Sequence, residues 1–441
     1  MQQIVIIGNG ISGITCARNI RKNSKDFITV ISSESEHFFS RTALMYIYMG
    51  HMKYEHTKPY EDFFWQKNNI TLLKKKVTDI NEDEKKITTD DGEQLNYDTL
   101  IIATGSVTAM YNWPGQDIKG VCGLYSLQDL EKIEHYTKNI KHAVIAGGGL
   151  IGTELAEMLH TRHIQVTMLV KDDYYWANVL PKEDAEIVEK QLKKNGIEIL
   201  LNTELKEIKA GAEGIVKSII TTTGKEIACG FVGITTGVKP NIAFLKNTKI
   251  KTDKGILINE YFETASKNIY AIGDCAQFEK PLPGRKPVEQ VWYTGRMHAE
   301  TLAQTITGKK TAYKPGPWFN SAKFFDLEYQ TYGMVPAKKE NEYEYFFWQH
   351  PLDDVAIGIY YRKADKMFTG INSYGIRLRH VFFDKYLKQN TPVDFILTHF
   401  NRALFNPEFS KNYAQGIINA WNKKTSSSVK KKNKIAAAFH L

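Results

Sequence analysis

The sequence predicts an α/β protein in which two units of one kind are nested, followed by an α+β domain. Three observations lead to this fold class. An apolar strand near the amino terminus runs into a glycine-rich turn and a helix, and the same pattern returns at Gly147. Short strands rich in aromatic residues begin after about Gly316. The first two observations predict parallel sheets covered by helices, and the third predicts an antiparallel sheet.

The first unit consists of a β-branched strand, a G-x-G-x-x-G turn, a helix, a second strand and an acid. The strands are Ile4–Ile7 and Phe27–Ile31, the acid is Glu34, and the turn reads Gly8-Asn9-Gly10-Ile11-Ser12-Gly13. This is the dinucleotide-binding layout, in which the glycines let the backbone approach a pyrophosphate at the helix N-terminus. Glu34 is placed to accept a hydrogen bond from a ribose hydroxyl.

The second unit repeats the layout and predicts a second dinucleotide on a second sheet. Strand Ala143–Ala146 precedes the turn and strand Gln165–Val170 follows its helix; the turn reads Gly147-Gly148-Gly149-Leu150-Ile151-Gly152. Later strands end at Gly237 and at Gly273-Asp274. An aspartate at the carboxyl end of a strand, beside a nucleotide crevice, can accept a hydrogen bond from a sugar-like hydroxyl.

The composition is that of a globular protein with a basic carboxyl end. Six of the lysines, and no acid, follow Trp421, so the net charge of +9 falls to 9 − 6 = +3 without them. A solvated, disordered tail explains this segment, and contact with nucleic acid or an anionic membrane is the alternative. No apolar run is long enough to span a membrane. The early first strand and the four scattered cysteines favour a cytoplasmic protein.

The chain resembles the FAD-dependent pyridine-nucleotide oxidoreductases with two dinucleotide-binding domains. Within that superfamily it is most similar to ferredoxin and rubredoxin reductases, the flavoprotein module of nitrite reductase, and apoptosis-inducing-factor-like proteins. Five blocks carry the resemblance, over about residues 1–320: both glycine-rich units, Phe39-Ser40-Arg41, Ala103-Thr104-Gly105 with Pro114-Gly115 following, and Ala271-Ile272-Gly273-Asp274.

The resemblance implies two nested Rossmann-like domains and assigns FAD to the first unit and NAD(P)H to the second. It divides the chain into an FAD domain (1–115 and 241–315), an NAD(P) domain (116–240), a C-terminal α+β interface domain (316–422) and a basic tail (423–441). Within the interface domain, helices are expected from Val381 to Leu387, from Val393 to Leu404 and from Pro407 to Trp421. A homodimer through the aromatic sheet is a further implication.

The family's FAD contacts fall on particular residues of this sequence. The resemblance places Gly8, Gly10 and Gly13 against the pyrophosphate, with Glu34 on the adenosine ribose. It places Arg41 at the phosphates or adenine, Val77 at the adenine through its backbone, and Asp274 on the ribityl chain, with Ala103, Thr104 and Gly105 along the FAD. The simpler interpretations are that Arg41 is a surface charge, Val77 a core residue and Asp274 a strand cap.

The NAD(P)H contacts are assigned in the same way. Gly147, Gly149 and Gly152 would hold the pyrophosphate, and Glu154 matches a family glutamate near the nicotinamide and flavin. An exposed first-turn acid, favoured by the helix dipole, is the alternative for Glu154. After the second strand of this unit, Asp172 could accept from a 2′-hydroxyl, whereas Lys171 could pair with a 2′-phosphate. The balance favours NADH over NADPH.

Two features near the expected flavin depart from the family, and a third residue is a candidate for contact with the flavin. No C-x-x-C or C-x₄-C pair exists for a redox disulfide, and Cys16 and Cys275 are predicted to be packing residues. Tyr46 replaces the lysine that ferredoxin reductases usually place near the flavin. Trp292 follows the Gly273-Asp274 motif and could stack on the flavin. For Tyr46 and Trp292, packing in the core or between domains is the alternative.

The sequence therefore predicts that NAD(P)H reduces FAD and that FAD reduces a small electron-carrier protein, rubredoxin-like or ferredoxin-like, without a thiol relay. The cofactor carries the chemistry in such enzymes. No nucleic acid partner and no metal site are expected. One alternative is a peripheral quinone or oxygen reductase, since the C-terminal helices and lysine tail fit weak membrane association. Another is a flavin-dependent interaction protein.

Overall fold

The structure is a computed structural model that describes residues 1–406, 408 and 411–432. The α-helices of this part of the chain are α1 (Ile11–Asn23), α2 (Leu44–Tyr48), α3 (Phe63–Lys67), α4 (Leu127–Thr137), α5 (Leu150–Thr161), α6 (Lys182–Lys194), α7 (Trp292–Ile306), α8 (His380–Lys388), α9 (Val393–Thr398), α10 (Phe400–Ala403) and α11 (Ala414–Thr425). None of these helices is long and apolar enough to cross a membrane.

The strands are β1 (Gln3–Ile7), β2 (Phe27–Ile31), β3 (Ile70–Leu73), β4 (Val77–Asn81), β5 (Lys86–Thr89), β6 (Gln94–Asn96), β7 (Thr99–Ile102), β8 (Ser106–Thr108), β9 (Val121–Cys122), β10 (His142–Ala146), β11 (Gln165–Leu169), β12 (Glu198–Leu200), β13 (Leu205–Ala210), β14 (Val216–Thr221), β15 (Glu226–Ala228), β16 (Phe231–Ile234), β17 (Val238–Pro240), β18 (Ile256–Ile258), β19 (Ile269–Ala271), β20 (Ala276–Phe278), β21 (Phe319–Phe324), β22 (Leu327–Gly333), β23 (Tyr343–Gln349), β24 (Ala356–Arg362) and β25 (Phe368–Tyr374).

The chain divides into two compact units. Unit 1 contains Met1–Ala146, Met158–Ile164 and Leu205–Pro315, and unit 2 contains Gly147–Glu157, Gln165–Glu204 and the described residues from Gly316 onward. The predicted α/β class, with parallel sheets followed by a C-terminal α+β part, is confirmed. The domain boundaries assigned from the sequence stay predictions.

Unit 1 is built on a parallel sheet of five strands in the order β19-β7-β1-β2-β3. Ile4–Ile7 and Leu100–Ile102 are buried in its centre, which explains why β1 and β7 read as continuous apolar runs. All five strands point the same way, so the residues that follow β1, β2, β7 and β19 meet at one edge. That carboxyl edge is where α/β sheets bind ligands.

The other strands of unit 1 form smaller groups. Antiparallel sheets join β4-β5-β6 and β13-β14-β15, β8 pairs antiparallel with β17, and β18 pairs parallel with β20. Strand β16 pairs parallel with both β10 and β9. The predicted strands at Ile4–Ile7 and Phe27–Ile31 are confirmed.

Unit 2 contains the parallel pair β11-β12 and an antiparallel sheet in the order β21-β22-β25-β24-β23. The sheet packs on the C-terminal helices around a core that includes Phe346, Phe383 and Trp421. The predicted aromatic sheet and the helix from Val381 to Leu387 are confirmed.

The predicted helix from Val393 to Leu404 is wrong as one element, because α9 ends at Thr398 and α10 begins at Phe400. The last helix begins at Ala414, and Pro407 lies outside the described residues. Helix α11 continues to Thr425, so Lys423 and Lys424 are helical. Val429 packs against the core, and residues 433–441 of the predicted tail lie outside the described residues.

A buried carboxylate in unit 2 connects α6 to the antiparallel sheet. Asp184 is 0% exposed, its Oδ2 accepts a hydrogen bond from the Tyr345 hydroxyl, and its Oδ1 has no hydrogen-bond partner among the described residues. Tyr345 fits there because β24 carries glycine at position 358, where a Cβ would collide with the Tyr345 hydroxyl. Burial raises the pKa of Asp184 to about 7 from an ordinary value of 3.8, so the folded state favours its neutral form.

Asp184→Asn should therefore change how stability depends on pH. The unfolded carboxyl releases its proton near pH 4 and the folded one near pH 7, so wild-type stability should fall by up to about 4 kcal/mol as pH rises across this interval. An asparagine cannot ionise, so Tm measured from pH 5 to 8 should fall less in this variant. Glu183→Gln, at the exposed neighbouring position, is the matched control. Identical slopes in Asp184→Asn and wild type would contradict the assignment.

Candidate functional site

The first glycine-rich turn is fixed by backbone packed directly on backbone. A Cβ on Gly8 would lie 2.1 Å from the Ala103 carbonyl oxygen, and Gly8 has a φ of +113°. A Cβ on Gly13 would lie 1.9 Å from the Gly8 carbonyl oxygen. No other residue type fits at either position without moving β1, β7 or α1 apart. These two glycines therefore set the position of the turn.

The outer side of the same turn is open. Within the part of the chain that the structure describes, a Cβ on Gly10 would have nothing within 4 Å, and no side chain caps the N-terminus of α1, which begins at Ile11 and Ser12. Asn9 holds the turn in place, because its side-chain amide donates a hydrogen bond to the Ser35 carbonyl oxygen at 2.8 Å. First-turn N–H groups and the helix dipole attract a phosphate, and the bare glycine lets it approach. This turn fits the pyrophosphate of a dinucleotide.

Glu34 and Arg41, predicted separately, form an ion pair. The Arg41 guanidinium donates to both oxygens of Glu34 and stacks 4.6 Å from the Tyr125 ring centroid. The Glu34 carboxylate also accepts from the Leu127 backbone N–H at 2.9 Å. Burial lowers the pKa of Arg41, but the hydrogen bond and charge of Glu34 outweigh it and raise the pKa overall. Arg41 is thus half-buried and paired, and its ligand role stays a prediction.

Asp274 follows the end of β19 and lies within a hydrogen-bonded network. Its Oδ2 accepts from the Ser106 hydroxyl at 3.1 Å and the Tyr125 hydroxyl at 3.3 Å. Gln290 in turn donates to the Ser106 hydroxyl at 2.8 Å. Burial raises the pKa of Asp274, while the Ser106 hydrogen bond and the Arg41 charge oppose that shift. A half-buried carboxylate held by neighbouring donors suits recognition of a ligand hydroxyl.

Gly273 explains why the chain turns sharply before Asp274. A Cβ on Gly273, where φ is +74°, would lie 2.4 Å from the Ser12 hydroxyl. Its N–H donates to Nδ1 of His298, a buried residue of α7. Burial, followed by the nearby Arg285 charge, lowers the pKa of His298 to about 3, so the ring is neutral and accepts this bond.

Sequence reasoning missed Tyr125, Ser106, Gln290 and His298. Ser106 directly follows the Ala103-Thr104-Gly105 motif, and Gln290 lies two residues before Trp292, so both positions had a neighbouring signal. Tyr125 had none, because its bonds to Ser106 and Asp274 join distant segments. It matters nonetheless, since a Cβ on Gly105 would lie 2.7 Å from the Tyr125 hydroxyl.

The remaining predicted FAD residues lie on other elements of unit 1. Val77 begins β4 and is buried in the main core, which supports its interpretation as a core residue. Thr104 donates to the Asn241 carbonyl oxygen at 2.8 Å. Gly237 has a φ of +132° and open space where a Cβ would stand. No contact among these described residues distinguishes a ligand role from a structural one.

The second glycine-rich turn, in unit 2, is held by a buried tyrosine. Gly147 has a φ of +119° and donates from its N–H to the Leu169 carbonyl oxygen. The Tyr175 hydroxyl lies 2.5 Å from the Thr153 hydroxyl and donates to the Gly149 carbonyl oxygen at 3.3 Å. Leu150 and Ile151 open α5, and a Cβ on Gly149 would meet only the indole of Trp176, at 3.6 Å.

Glu154 and Asp172 are both half-buried in unit 2. Burial, with a smaller repulsion from Glu157, raises the pKa of Glu154 to about 7. Such a shift is typical of acids at functional sites but also occurs in structural clusters. Lys171 is exposed beside Asp172. Glu154 is therefore not a simple exposed surface acid. The cation beside Asp172, Lys171, lies at the surface rather than in the interior.

The expected flavin-side residues have mixed environments. Tyr46 is half-buried on α2 with its ring 6.1 Å from that of His51, whereas Tyr48 is fully buried against Thr137. Trp292 opens α7, half-buried, with its ring 5.4 Å from that of Tyr293. The four cysteines are buried and free, and burial is the main cause that raises the pKa of each thiol.

A family model described as pyridine nucleotide-disulphide oxidoreductase matches residues 2–300. An NADH oxidase of Methanocaldococcus jannaschii is 31% identical over 75% of this chain and 76% of its own length. A rubredoxin-NAD(+) reductase of Ectopseudomonas oleovorans is 28% identical over 72% and 83%, respectively. The solved NADH:rubredoxin oxidoreductase of Clostridium acetobutylicum superposes with a TM-score of 0.69 at 25% identity, covering 95% of this chain and 99% of that one.

Alanine substitutions in the first turn should separate folding from binding. Gly8→Ala places a methyl group into the Ala103 carbonyl, so we expect little folded protein. Gly10→Ala meets no protein atom, so the apoprotein should melt at the wild-type Tm or slightly above it. Its methyl group would nevertheless stand where the phosphate approaches, so FAD affinity should fall about tenfold or more.

The two variants are compared by thermal unfolding of the apoprotein and by FAD titration. Wild-type FAD affinity in Gly10→Ala would show that this turn does not receive the pyrophosphate.

Proposed function

We propose that this chain, which belongs to the pyridine nucleotide-disulphide oxidoreductase family, passes electrons from NAD(P)H through FAD to a small electron-carrier protein. Its class, an FAD-dependent NAD(P)H oxidoreductase, follows from that membership and from its relatives. The carrier is the proposed part, and a rubredoxin-like or ferredoxin-like protein is its chemical kind. Relatives named for rubredoxin reduction support it.

The observation that carries the proposal is the state of the thiols. All four cysteines are buried, unpaired and held in the thiol form, so none can relay electrons as a thiolate or a disulfide. Electrons must therefore leave the flavin directly for the acceptor. Free buried thiols also fit a reducing compartment, and we place the protein in the cytoplasm on this basis.

The residues of unit 1 would hold FAD by its phosphates and hydroxyls. The first-turn N–H groups from Ile11 to Gly13 would bind the pyrophosphate. Glu34, paired with Arg41, would accept from the adenosine ribose. Asp274, oriented by Ser106 and Tyr125, would accept from a ribityl hydroxyl. FAD, when bound, supplies the chemistry, taking a hydride from the nicotinamide and releasing electrons singly or in pairs.

The residues of unit 2 would bind the nicotinamide cofactor. The turn Gly147–Gly152 would receive its pyrophosphate, and Asp172, half-buried beside the exposed Lys171, favours NADH. Glu154 would act on the nicotinamide electrostatically. Its ionised form would favour the positive charge that develops as hydride leaves the ring. A homodimer through the aromatic sheet is part of the same proposal.

Oxygen is the second candidate acceptor, because a relative with 31% identity is named NADH oxidase. The two are separated by measuring NADH consumption in air without a carrier, and carrier reduction without oxygen. We expect reduction of rubredoxin or ferredoxin to exceed oxygen consumption about tenfold or more. Equal or faster turnover with oxygen alone would identify oxygen, and not a carrier protein, as the electron acceptor.

Glu154 should impose a pH dependence on flavin reduction. Its carboxyl, with a pKa of about 7, is neutral below that pH and charged above it, so the reduction rate by NADH should rise about tenfold through pH 7. Glu154→Gln should be flat and slow across the range. Rates come from anaerobic stopped-flow at saturating NADH.

Glu157→Gln is the matched control for that experiment. It keeps Glu154 but removes the repulsion that helps raise the Glu154 pKa, so the rise should move to lower pH. A wild-type rate without any inflection, or an inflection that survives in Glu154→Gln, would assign the titration to another group.

A further inference from the structure

The side chain of Trp176 lies beside the second glycine-rich turn. Trp176 is half-buried in the segment between β11 and α6. Its indole Nε1 is 3.6 Å, and its Cδ1 3.9 Å, from the point where a Cβ on Gly149 would stand. The second glycine of this motif lacks a side chain so that a pyrophosphate can approach the backbone. Trp176 therefore borders the space that a dinucleotide phosphate would enter.

The backbone of Trp176 is in the left-handed region, with a φ of +53°. This conformation is rare for a bulky residue and persists only where the surroundings enforce it. The N–H groups of Val179 and Leu180 bond to the Trp176 carbonyl oxygen at 2.9 and 3.1 Å. The preceding N–H, of Tyr175, bonds to the buried Glu189 carboxylate at 2.9 Å.

The side chain next to Trp176 links its segment to the turn. The Tyr175 hydroxyl bonds to Thr153 on α5 and to the Gly149 carbonyl oxygen. On another side, the Phe324 ring meets the Trp176 ring at 6.1 Å and 74°. The indole is thus held by its contact with the Phe324 ring and by the hydrogen bonds that its neighbour Tyr175 makes with the turn.

The indole nitrogen is left as a donor with no hydrogen-bond acceptor among the residues that the structure describes. An indole N–H can only donate. A phosphate oxygen is an acceptor, and a hydrogen bond to a charged acceptor is stronger than one between neutral groups. The strained backbone, the hydrogen bonds that hold it and the free donor all belong to the short segment Tyr175-Trp176 at the edge of one turn.

We propose that the Trp176 indole N–H donates a hydrogen bond to the pyrophosphate of the nicotinamide dinucleotide at Gly147–Gly152. The inference rests on the proposed function, which assigns this turn to NAD(P)H. Trp176 is then a positioning residue for the cofactor. The pyrophosphate is common to both cofactors, so the Trp176 hydrogen bond should contribute equally to the binding of NADH and of NADPH. The contributions of Asp172 and Lys171 should instead differ between the two cofactors.

Trp176→Phe in the FAD-loaded protein tests this contact, since it keeps an aromatic ring and removes the donor. The Kd values for NAD⁺ and NADP⁺, which carry the same pyrophosphate and do not reduce the flavin, should both rise about tenfold in a calorimetric titration. The flavin reduction rate at saturating NADH should stay within about twofold, since the contact serves binding. Trp348→Phe, in β23 of the same unit, is the matched control and should leave both Kd values unchanged.

A second measurement observes the donor itself. In ¹⁵N-labelled protein, the indole N–H resonance that Trp176→Phe removes should shift downfield when NAD⁺ is added, while the Trp348 resonance should not.

An unchanged Kd in Trp176→Phe, or an unshifted resonance, overturns the inference. Tighter binding in Trp176→Phe also overturns it, because the ring would then obstruct the turn. Wild-type protein that binds neither NADH nor NADPH would instead refute the proposed function.

Discussion

Contact between backbone atoms at the carboxyl edge of the unit 1 sheet is the constraint on which the first site depends. Gly8 lies against the Ala103 carbonyl, and Gly13 lies against the Gly8 carbonyl, so β1, β7 and α1 meet with no side chains between them. This packing leaves the open face of Gly10 beside the first-turn N–H groups of α1. The same edge carries Glu34 after β2 and Asp274 after β19. The close packing of the two glycines therefore brings together groups suited to phosphate recognition and groups suited to hydroxyl recognition.

The elements of this site that could be predicted from sequence are those with a local cause. A glycine needed for a close approach recurs at fixed spacing, and an acid at the end of a strand follows its apolar run directly. Tyr125, Ser106 and Gln290 act through bonds that join segments far apart in the chain. No periodicity or motif records such a partnership, because it exists only once the sheet has formed. The pairing of Arg41 with Glu34 was also missed, although both residues were identified, because no motif records which side chains meet across a loop.

Unit 2 shows the same limit more strongly. The strands rich in aromatic residues predicted an antiparallel sheet, since alternating aromatic residues suit a pleated, half-buried surface. Nothing in the helix Lys182–Lys194 indicated that Asp184 would be buried against Tyr345, and an acid in a first turn ordinarily reads as exposed. The helix predicted over 393–404 breaks at His399, and α11 extends four residues beyond its predicted end at Trp421. Helix ends are therefore where the sequence was least informative.

The state of the thiols limits the part that protein side chains can take in electron transfer. In a family named for a disulphide, a chain whose four cysteines are buried and unpaired has no covalent relay, so its own groups act only by binding, orientation and charge. Under the proposed function each such group has one of those roles: the glycine turns and Trp176 would orient, Asp274 and Glu34 would bind, and Glu154 would supply a charge that pH can change. Selectivity for the electron acceptor then depends on which partner can approach the flavin, and that is a property of surfaces rather than of catalytic side chains.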